Sequence, residues 1–379
     1  MKIVIAPDSY KGCLSSIFVA NYLEEGIKKA DSTIETIKIP IADGGEGSVN
    51  AFVNATNGEI IKLKAHGPFM NLIDSYYGVL GNNTTAIIEM ATIAGLNLIN
   101  KDMQNPLLTT TYGVGELIKH AIDSGYRDII VCIGGSSTND GGMGMAQALG
   151  VKFYDKNNKL IKQGGKYLVD VNKIDTSTLI STIKECNIIV ACDVKNPLYG
   201  KNGASYVYAK QKGASYDDIL LLDKGLKHLS TEIKKTYTNN FENYEGAGAA
   251  GGLGYGLLVF LNATLKPGID ILIDKCDFKE KIQNANLLIT GEGKTDYQTA
   301  FGKAPVGLAK VAKEYSIPVI CISGALGENY EAVYSHGIDS AFSIIPDTMN
   351  LEQAITNAKE YLINFAYAII KTIIAFKSK

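Results

Sequence analysis

The stretch IIVCIGGSSTNDGG, residues 129–142, joins a short apolar run directly to a polar loop rich in glycine. A run this short and this rich in β-branched residues is typical of a strand that is buried on both faces of a parallel sheet. The same pattern recurs in IVIA (3–6), IIVAC (188–192), LLIT (287–290) and VICIS (319–323). Strands that alternate with helical segments predict an α/β fold whose parallel strands are joined by right-handed crossovers.

Three segments carry the apolar spacing of amphipathic helices. Ser15 and Ser16 are candidate N-caps of the first segment, because a serine hydroxyl accepts a hydrogen bond from an N–H group of the first helical turn. The predicted apolar faces are Val19, Leu23 and Ile27; Val114, Leu117, Ile118, Ala121 and Ile122; and Ala354, Ile355, Ala358, Leu362, Phe365 and Ile369.

Composition narrows the class of protein. Glycine contributes 39 of the 379 residues, about one in ten against a usual share of about 7%. Proline is scarce and no collagen-like period occurs, so the glycines belong to folded turns and tight loops. The formal net charge of −2 argues against a basic surface for nucleic acid. A chain of this length is expected to form about two domains.

Cysteine usage and hydropathy favour a soluble protein. The six cysteines include no C-x-x-C pair and the four histidines are scattered, so neither a disulfide framework nor a zinc site is expected. The apolar run at the N-terminus is too short for a signal peptide. The apolar segment 365–376 is interrupted by Lys371 and is too short to span a bilayer. We therefore expect a cytoplasmic protein, monomeric or homodimeric, without a membrane or nucleic-acid partner.

Basic charge is carried almost wholly by lysine, since Arg127 is the only arginine. Arginine is the usual bidentate partner of phosphate and carboxylate groups. Arg127 precedes the strand at 129–134, at the end opposite to the glycine-rich loop. Any anion bound at that loop must therefore be held by lysine, backbone N–H groups, hydroxyl groups or a metal ion.

The two ends of the chain resemble each other in style more than either resembles the middle. Both ends consist of simple strand–loop–helix units, whereas the middle is richer in glycine and in turns such as NNT (82–84) and DKNNK (155–159). We therefore predict a discontinuous α/β domain formed by residues 1–80 and 285–379. A second α/β domain, residues 81–284, is inserted into it.

Polar loops follow the apolar runs at five places, and each loop contains an acidic residue. These loops are residues 8–12, 42–47, 134–142, 193–197 and 291–296. In open α/β sheets, ligands bind at the carboxyl ends of the strands, where such loops lie. Any single loop could be a turn in which an aspartate caps a helix. Five of them indicate a site for phosphate groups and Mg²⁺, because carboxylates hold the metal and glycines let N–H groups approach the phosphates.

Two familiar motifs are rejected. Gly293-Lys294-Thr295 resembles the end of a Walker A loop, but Leu288 stands where the first glycine of that motif belongs. Residues 246–251 fit G-x-G-x-x-G, yet the preceding FENYE is polar, and a dinucleotide fingerprint requires a buried strand there. Two interpretations of this glycine-rich segment stay open: a loop that binds nucleotide or substrate, and close packing of helices through small residues.

The polar loops lie within longer blocks that resemble the signature blocks of the type I glycerate kinases. In chain order these blocks include IAPDSYKGCLSS, PIADGGEGS, IGGSSTNDGGMGMAQALG, ACDVKNPLYGKNGAS, GAGAAGGLGYGL and TGEGKTDYQTAFGKAPVGLAK. The resemblance covers residues 1–325. It implies ATP-dependent phosphorylation of D-glycerate, with 2-phosphoglycerate as product. It also implies two α/β domains that enclose the active site in a cleft, and the domain built from both chain ends is then flavodoxin-like.

Phosphoryl transfer asks the protein for positioning and for neutralisation of charge. We expect Mg²⁺–ATP to bind along the glycine-rich loops, with Asp193, or alternatively Asp8, as the base that deprotonates the glycerate hydroxyl. Lys11 is expected to neutralise phosphoryl charge or to hold the glycerate carboxylate. The candidate metal ligands are Glu292 and Asp296, with Asp43 and Glu46 as alternatives. The candidate contacts to substrate or phosphate are Gly134, Gly135, Ser136, Asn139, Asp140, Asn196, Lys212, Gly248, Gly251 and Lys303.

Other functions stay open beside this one. A kinase of the same fold could act on another small hydroxy acid, or could give 3-phosphoglycerate. A phosphatase or lyase that uses Mg²⁺ at the same carboxylates would turn over its substrate without ATP. A nucleotide sensor would bind ATP but would not release ADP in the presence of glycerate.

Overall fold

The computed structural model describes residues 1–42, 44–237 and 240–377. The chain forms two compact units. The first unit comprises Met1–Asp43, Asn50–Asn57 and Ile269–Lys379, and the second comprises Gly44–Val49 and Gly58–Gly268.

Strands and helices alternate along most of the chain. The strands are β1 (Lys2–Pro7), β2 (Glu35–Lys38), β3 (Glu59–His66), β4 (Leu72–Val79), β5 (Thr85–Glu89), β6 (Asp128–Cys132), β7 (Lys152–Tyr154), β8 (Lys173–Asp175), β9 (Asn187–Ala191), β10 (Thr264–Lys266), β11 (Leu287–Gly291), β12 (Lys294–Thr295), β13 (Val319–Ser323), β14 (Ala325–Leu326) and β15 (Ser340–Ser343). The helices are α1 (Ser16–Ala30), α2 (Ser48–Thr56), α3 (Ala91–Ala94), α4 (Tyr112–Asp123), α5 (Met143–Ala148), α6 (Ala204–Tyr208), α7 (Tyr216–Ile233), α8 (Ala249–Leu261), α9 (Gly268–Lys275), α10 (Phe278–Ile282), α11 (Ala304–Glu314) and α12 (Leu351–Lys377).

The first unit contains a parallel sheet in the order β2, β1, β11, β13, β15. Numbered along this unit alone, the order is 2-1-3-4-5, which is the flavodoxin-like arrangement. Strands β1 and β2 come from one end of the chain and the other three come from the other end. The predicted flavodoxin-like sheet built from both chain ends is therefore confirmed.

One face of this sheet is covered by α1 and α12. The hydroxyl of Ser15 accepts a hydrogen bond from Phe18 N at 3.4 Å and caps α1, as predicted. The two helices approach closely at Gly26, where a Cβ atom would lie 2.3 Å from the carbonyl oxygen of Ile363. Leu23 and Leu362 are fully buried in the core that the helices share with the sheet.

The second unit contains a mixed sheet in the order β10, β9, β6, β5, β4, β3. The first four of these strands are parallel, and β4 is antiparallel to both of its neighbours. The apolar face of α4 is buried against this sheet with α5 and α8. The runs 129–134 and 188–192 form β6 and β9, so the predicted α/β class holds in this unit as well.

Residues 58–80 lie in the second unit, whereas the predicted domain boundaries grouped them with the chain ends. The physical reason is strand pairing: β3 pairs with β4 along its full length, and β4 pairs with β5. The turn at 82–84 is the link of the β4–β5 hairpin, in which Leu80 N donates to the carbonyl oxygen of Thr85. This turn therefore lies within one sheet and does not mark the start of an inserted domain.

None of the helices in the described part of the chain is long and apolar enough to cross a membrane. None of the six cysteines, all of which lie in the described part of the chain, forms a disulfide.

Candidate functional site

The glycine-rich loop after β6 turns sharply away from the sheet. Gly134 N donates to the carbonyl oxygen of Gly44 at 2.9 Å, and Gly135 has a φ of +73°, a conformation that favours glycine. Within residues 134–142, Gly135 is exposed and Gly134 and Ser136 are half-buried, whereas residues 137–142 are buried. The part of the loop that a ligand can reach is therefore residues 134–136.

The side chain of Lys212 is hydrogen-bonded to this loop. Its ammonium group donates to Ser136 Oγ and to the carbonyl oxygen of Thr138, both at 2.7 Å. The side chain is only 2% exposed. Burial lowers the pKa of Lys212 from its ordinary value of 10.5 to about 7, and the nearby charge of Asp140 opposes this shift. Lys212 therefore contacts the loop that carries Ser136, and its contact to phosphate stays a prediction.

Asp140 and Asn139 are fully buried at the end of the loop. Asp140 Oδ2 accepts hydrogen bonds from Thr111 N at 2.8 Å and from Thr110 Oγ1 at 3.1 Å, and Oδ1 accepts one from Gly142 N at 3.2 Å. Burial raises the pKa of Asp140, and these donors act against the rise. Because donors surround the carboxylate, the geometry favours a role in fixing the loop over direct contact with a substrate. Asn139 Oδ1 accepts from Ser205 Oγ at 3.3 Å.

The glycines of α8 pack against the same loop. Ala250, Gly251 and Gly252 have positive φ values and interrupt the helix. A Cβ atom on Gly251 would lie 2.0 Å from the carbonyl oxygen of Thr138, and one on Gly248 would lie 2.2 Å from that of Pro197. These contacts favour close backbone packing, one of the two open interpretations of the segment.

Asp193 follows β9 and is exposed. Its Oδ1 atom accepts a hydrogen bond from Gly268 N at 2.9 Å, which fixes the carboxylate at the start of α9. Asn196 is half-buried; its amide donates to the carbonyl oxygen of Asn202 at 2.8 Å, and its Oδ1 accepts from Tyr208 OH at 2.7 Å. The polar segment after β9 is thus a fixed loop at the carboxyl end of a parallel strand.

Glu46 lies beside the accessible part of the β6 loop. A Cβ atom on Gly135 would lie 3.8 Å from Glu46 Cγ. The neighbouring carboxylate of Glu89, at the end of β5, is 2% exposed and accepts hydrogen bonds from Gly47 N and Val49 N, both at 3.0 Å. Sequence reasoning missed Glu89, although it carries the same signal as the chosen residues, an acidic side chain at the end of an apolar strand.

In the first unit, the loops after β1 and β11 lie against each other. Asp8 N donates to the carbonyl oxygen of Gly291 at 2.7 Å, and Asp8 Oδ1 accepts from Ser9 N at 2.6 Å. A Cβ atom on Gly293 would lie 3.2 Å from Lys11 N. Lys11 itself is exposed. The structure therefore brings Asp8 and Lys11 to the same sheet edge as the loop 291–296.

Glu292 is the buried carboxylate of this edge. Its Oε1 atom accepts hydrogen bonds from Thr299 Oγ1 at 2.6 Å and from Thr295 Oγ1 at 3.3 Å. Its Oε2 atom faces the ammonium group of Lys303 at 3.4 Å. Burial raises the pKa of Glu292, and the two threonine hydroxyls and Lys303 oppose that rise. The predicted residues Glu292 and Lys303 are thus in contact, while the two threonines were not foreseen.

Asp296 is half-buried and caps the turn that follows it, with its carboxylate accepting from Gln298 N at 2.9 Å. Its backbone N–H donates to Thr299 Oγ1, the hydroxyl that also contacts Glu292. In the part of the chain that the structure describes, no three His, Cys, Asp or Glu side chains form a group that could hold a metal ion by themselves. Asp43, the remaining candidate ligand, lies outside the described residues.

Arg127 lies at the other end of β6, where its guanidinium donates to the carbonyl oxygens of Ile122 at 2.9 Å and Tyr126 at 3.0 Å. The predicted separation of this arginine from the glycine-rich loop agrees with that position.

Comparisons with known proteins find relatives over nearly the whole length of the chain. The model of the glycerate kinase family matches residues 3–374. A glycerate kinase from Bacillus subtilis (strain 168) is 47% identical over 362 residues, which cover 96% of this chain and 95% of that protein. A glycerate 2-kinase from Escherichia coli (strain K12) is 44% identical over 373 residues, 98% of each chain.

A solved structure gives the same result in three dimensions. The crystal structure of a protein from Salmonella typhimurium LT2, provisionally described as glycerate kinase 2, superposes with a TM-score of 0.90 at 43% identity. The match covers 100% of both chains. With a family match over nearly the whole length and relatives above 40% identity, the chain belongs to the glycerate kinase family.

Proposed function

We propose that this chain transfers the γ-phosphoryl group of ATP to D-glycerate and releases 2-phosphoglycerate and ADP. Membership of the glycerate kinase family supports the acceptor. The 2-position is supported by the glycerate 2-kinase of Escherichia coli, which is similar over 98% of this chain.

The observation that carries the proposal is the contact between Lys212 and Ser136. Lys212 donates to Ser136 Oγ at 2.7 Å from a fully buried position. A serine hydroxyl has one proton to donate, and here an acceptor site on its oxygen is taken by the lysine. The hydroxyl proton of Ser136 is therefore available for an anionic oxygen at the accessible part of the loop. Such an arrangement binds a phosphate or a carboxylate without arginine.

Asp193 is the base in this proposal. Its carboxylate is exposed, and the hydrogen bond from Gly268 N holds one oxygen in place. The carboxylate then accepts the proton of the glycerate hydroxyl as that hydroxyl attacks the γ-phosphorus, and the leaving group is ADP. Asp8, at the end of β1, is the alternative base. Lys11 neutralises phosphoryl charge or holds the carboxylate of glycerate.

The donor set beside β11 fits Mg²⁺. Carboxylate and hydroxyl oxygens are the ligands that this ion prefers, and it usually takes only one or two carboxylates together with phosphate oxygens. Glu292 and Asp296 would hold the ion, directly or through water, with Glu46 and Asp43 as alternatives. When bound, Mg²⁺ would neutralise negative charge on the phosphates of ATP. Lys303, at 3.4 Å from Glu292, adds a positive charge at the same place.

A coupled assay of ADP release tests the reaction. The purified protein is supplied with ATP and Mg²⁺ and, in parallel, with D-glycerate, L-glycerate and other small hydroxy acids. We expect ADP release with D-glycerate, and the ³¹P NMR spectrum of the product distinguishes 2-phosphoglycerate from 3-phosphoglycerate. Turnover with a different hydroxy acid alone, or turnover that does not need ATP, would refute the proposal.

A further inference from the structure

Glu89 lies at the end of β5, outside every loop that the sequence singled out. We propose that Glu89 is a positioning residue for phosphoryl transfer: its carboxylate fixes the segment Gly44–Val49, and with it Glu46, beside the accessible loop 134–136. This inference rests on the proposed function of that loop.

The carboxylate of Glu89 is held by hydrogen bonds from the backbone. Glu89 is 2% exposed, and a buried carboxylate is costly unless donors surround it. One oxygen accepts from Gly47 N and the other from Val49 N, each at 3.0 Å, and the backbone of Ser48 also contributes. Both oxygens of Glu89 are therefore committed to the backbone of a segment that lies about 40 residues away in sequence.

The segment that Glu89 holds leads into helix α2. Helix α2 begins at Ser48 and has no acidic residue in its own first turn. The N–H groups at a helix start need acceptors and carry a partial positive charge. Glu89 supplies both the acceptors and the negative charge from a neighbouring strand. The start of α2 is thus fixed by a residue that its own sequence does not contain.

The other end of the segment, at Gly44, contacts the glycine-rich loop after β6. Gly134 N donates to the carbonyl oxygen of Gly44 at 2.9 Å, and a Cβ atom on Gly134 would lie 2.6 Å from Gly45 Cα. The segment is therefore held at Gly44 by the β6 loop and at Gly47 by Glu89. Glu46 lies between these two anchors and faces Gly135.

The register of β5 and β6 places Glu89 next to the start of the glycine-rich loop. Glu89 is paired with Cys132 in the parallel ladder of β5 and β6. Glu89 holds the Gly44–Val49 segment, and the glycine-rich loop begins shortly after Cys132. The two residues therefore lie side by side at the ends of neighbouring strands. Loss of one anchor would let Glu46 move relative to residues 134–136, and displacements of about 1 Å at a reacting group can cost on the order of 100-fold in rate.

Substitution Glu89→Gln tests the inference. The glutamine has the same size, but one acceptor oxygen becomes an NH₂ donor that faces a backbone N–H group. We expect kcat for glycerate phosphorylation to fall at least tenfold with a smaller change in KM, and the amides of residues 47–49 to exchange hydrogen faster. Glu116→Gln is the matched control, because Glu116 also accepts a backbone bond from a distant segment, His66 N at 2.7 Å, in the same unit.

A double-mutant cycle with Glu46→Gln separates positioning from a general loss of stability. If Glu89 acts through Glu46, the double variant is no slower than the slower of the two single variants. Fully additive losses, or an unchanged kcat in E89Q, would overturn the proposal. Glu89→Asp, which keeps the charge but shortens the side chain, serves if E89Q does not fold, and it is expected to show the same pattern to a smaller degree.

The exchange measurement also separates this inference from the proposed function. If the wild-type protein does not phosphorylate glycerate, the proposed function fails, while faster exchange at residues 47–49 in E89Q still reports the anchoring. If the wild type is active and E89Q exchanges like the wild type, the anchoring itself is refuted.

Discussion

The ammonium nitrogen of Lys212 lies 2.7 Å from Ser136 Oγ, although the two residues are 76 positions apart in sequence. The same nitrogen donates to the carbonyl oxygen of Thr138 at 2.7 Å. One buried lysine therefore links the turn before α7 to the glycine-rich loop after β6. The position of the serine hydroxyl, and the direction in which it can donate, depend on this link.

Replacing Lys212 by methionine tests that dependence. Methionine fills similar space but cannot donate, so both hydrogen bonds to the loop are lost. Hydrogen bonds that involve a charged group contribute about 1.5–3 kcal/mol, and we expect kcat/KM for glycerate to fall by about 10- to 100-fold. Lys210→Met is the control, because Lys210 belongs to the same turn but is exposed. Equal activity of the two variants would contradict the prediction.

The lowered pKa of Lys212 predicts how stability depends on pH. In the unfolded chain a lysine keeps its proton up to about 10.5, whereas in the folded protein the pKa of Lys212 is about 7. Between these values the unfolded state binds more protons than the folded state, so the contribution of Lys212 to stability rises with pH. The slope approaches about 1.4 kcal/mol per pH unit.

Urea unfolding of the wild type and of Lys212→Met, measured from pH 7 to pH 10, isolates this contribution. The difference in the free energy of unfolding between the two proteins should change in favour of the wild type as the pH rises. A difference that is constant over this range would show that Lys212 keeps its proton in the folded state.

The fold was predictable where a single strand pattern decided it. Runs such as IIVAC and VICIS are apolar on both faces, and such strands belong to the interior of parallel sheets. Strand β3, with the sequence EIIKLKAH and a mostly half-exposed burial pattern, carries no such signal. Its antiparallel pairing with β4 is decided by partners elsewhere in the sheet. For this reason the sequence located the class of fold but misplaced residues 58–80.

The loops of the candidate site could be found in the sequence, but most contacts between them could not. A glycine-rich loop after a buried strand can be seen in the sequence because both features are local. The partners of that loop are distant: Lys212 reaches Ser136 across 76 residues, and Glu89 reaches Gly47 across 42. Both side chains are buried, and the burial of a charged side chain depends on the whole packing around it. Lysine and glutamate are rarely fully buried, so the sequence alone favours a surface position.

Gly251 is predicted to be irreplaceable for steric reasons. It has a φ of +66°, and a Cβ atom would lie 2.0 Å from the carbonyl oxygen of Thr138, one of the two acceptors of Lys212. Gly251→Ala should therefore shift the loop, lower stability by more than about 3 kcal/mol and reduce kcat. Gly200→Ala is the matched control, since Gly200 also has a positive φ but has open space at its Cβ position.

The control separates backbone strain from the clash. A left-handed conformation alone costs an alanine about 1–2 kcal/mol, so G200A should lose only that amount in urea unfolding and keep its kcat. Similar losses in both variants would mean that the contact between Gly251 and Thr138 has no special importance.

Metal removal tests the donor set beside β11. We expect EDTA to abolish ADP release and added Mg²⁺ to restore it. Glu292→Gln removes the negative charge that would hold the ion, and the Mg²⁺ concentration for half-maximal rate should then rise about tenfold, which corresponds to about 1.4 kcal/mol. Glu314→Gln is the control, because Glu314 is exposed and pairs with the surface residue Lys279. A Mg²⁺ dependence that is the same in both variants would place the ion elsewhere.

Asp193 and Lys11 have the two central roles in the proposed reaction, base and charge neutralisation, and we expect their substitutions to differ in kind. Asp193→Asn keeps the hydrogen bond from Gly268 N, because the amide oxygen still accepts, but it removes the base; kcat should fall by about 10²- to 10⁴-fold with little change in KM. Lys11→Ala removes a positive charge from an exposed loop, so KM for ATP or glycerate should rise together with a fall in kcat. Asp8→Asn distinguishes the alternative base, since only the true base should lose kcat without a change in KM. If Asp193→Asn and Lys11→Ala both keep near wild-type kcat and KM for glycerate, the assignment of these residues is wrong.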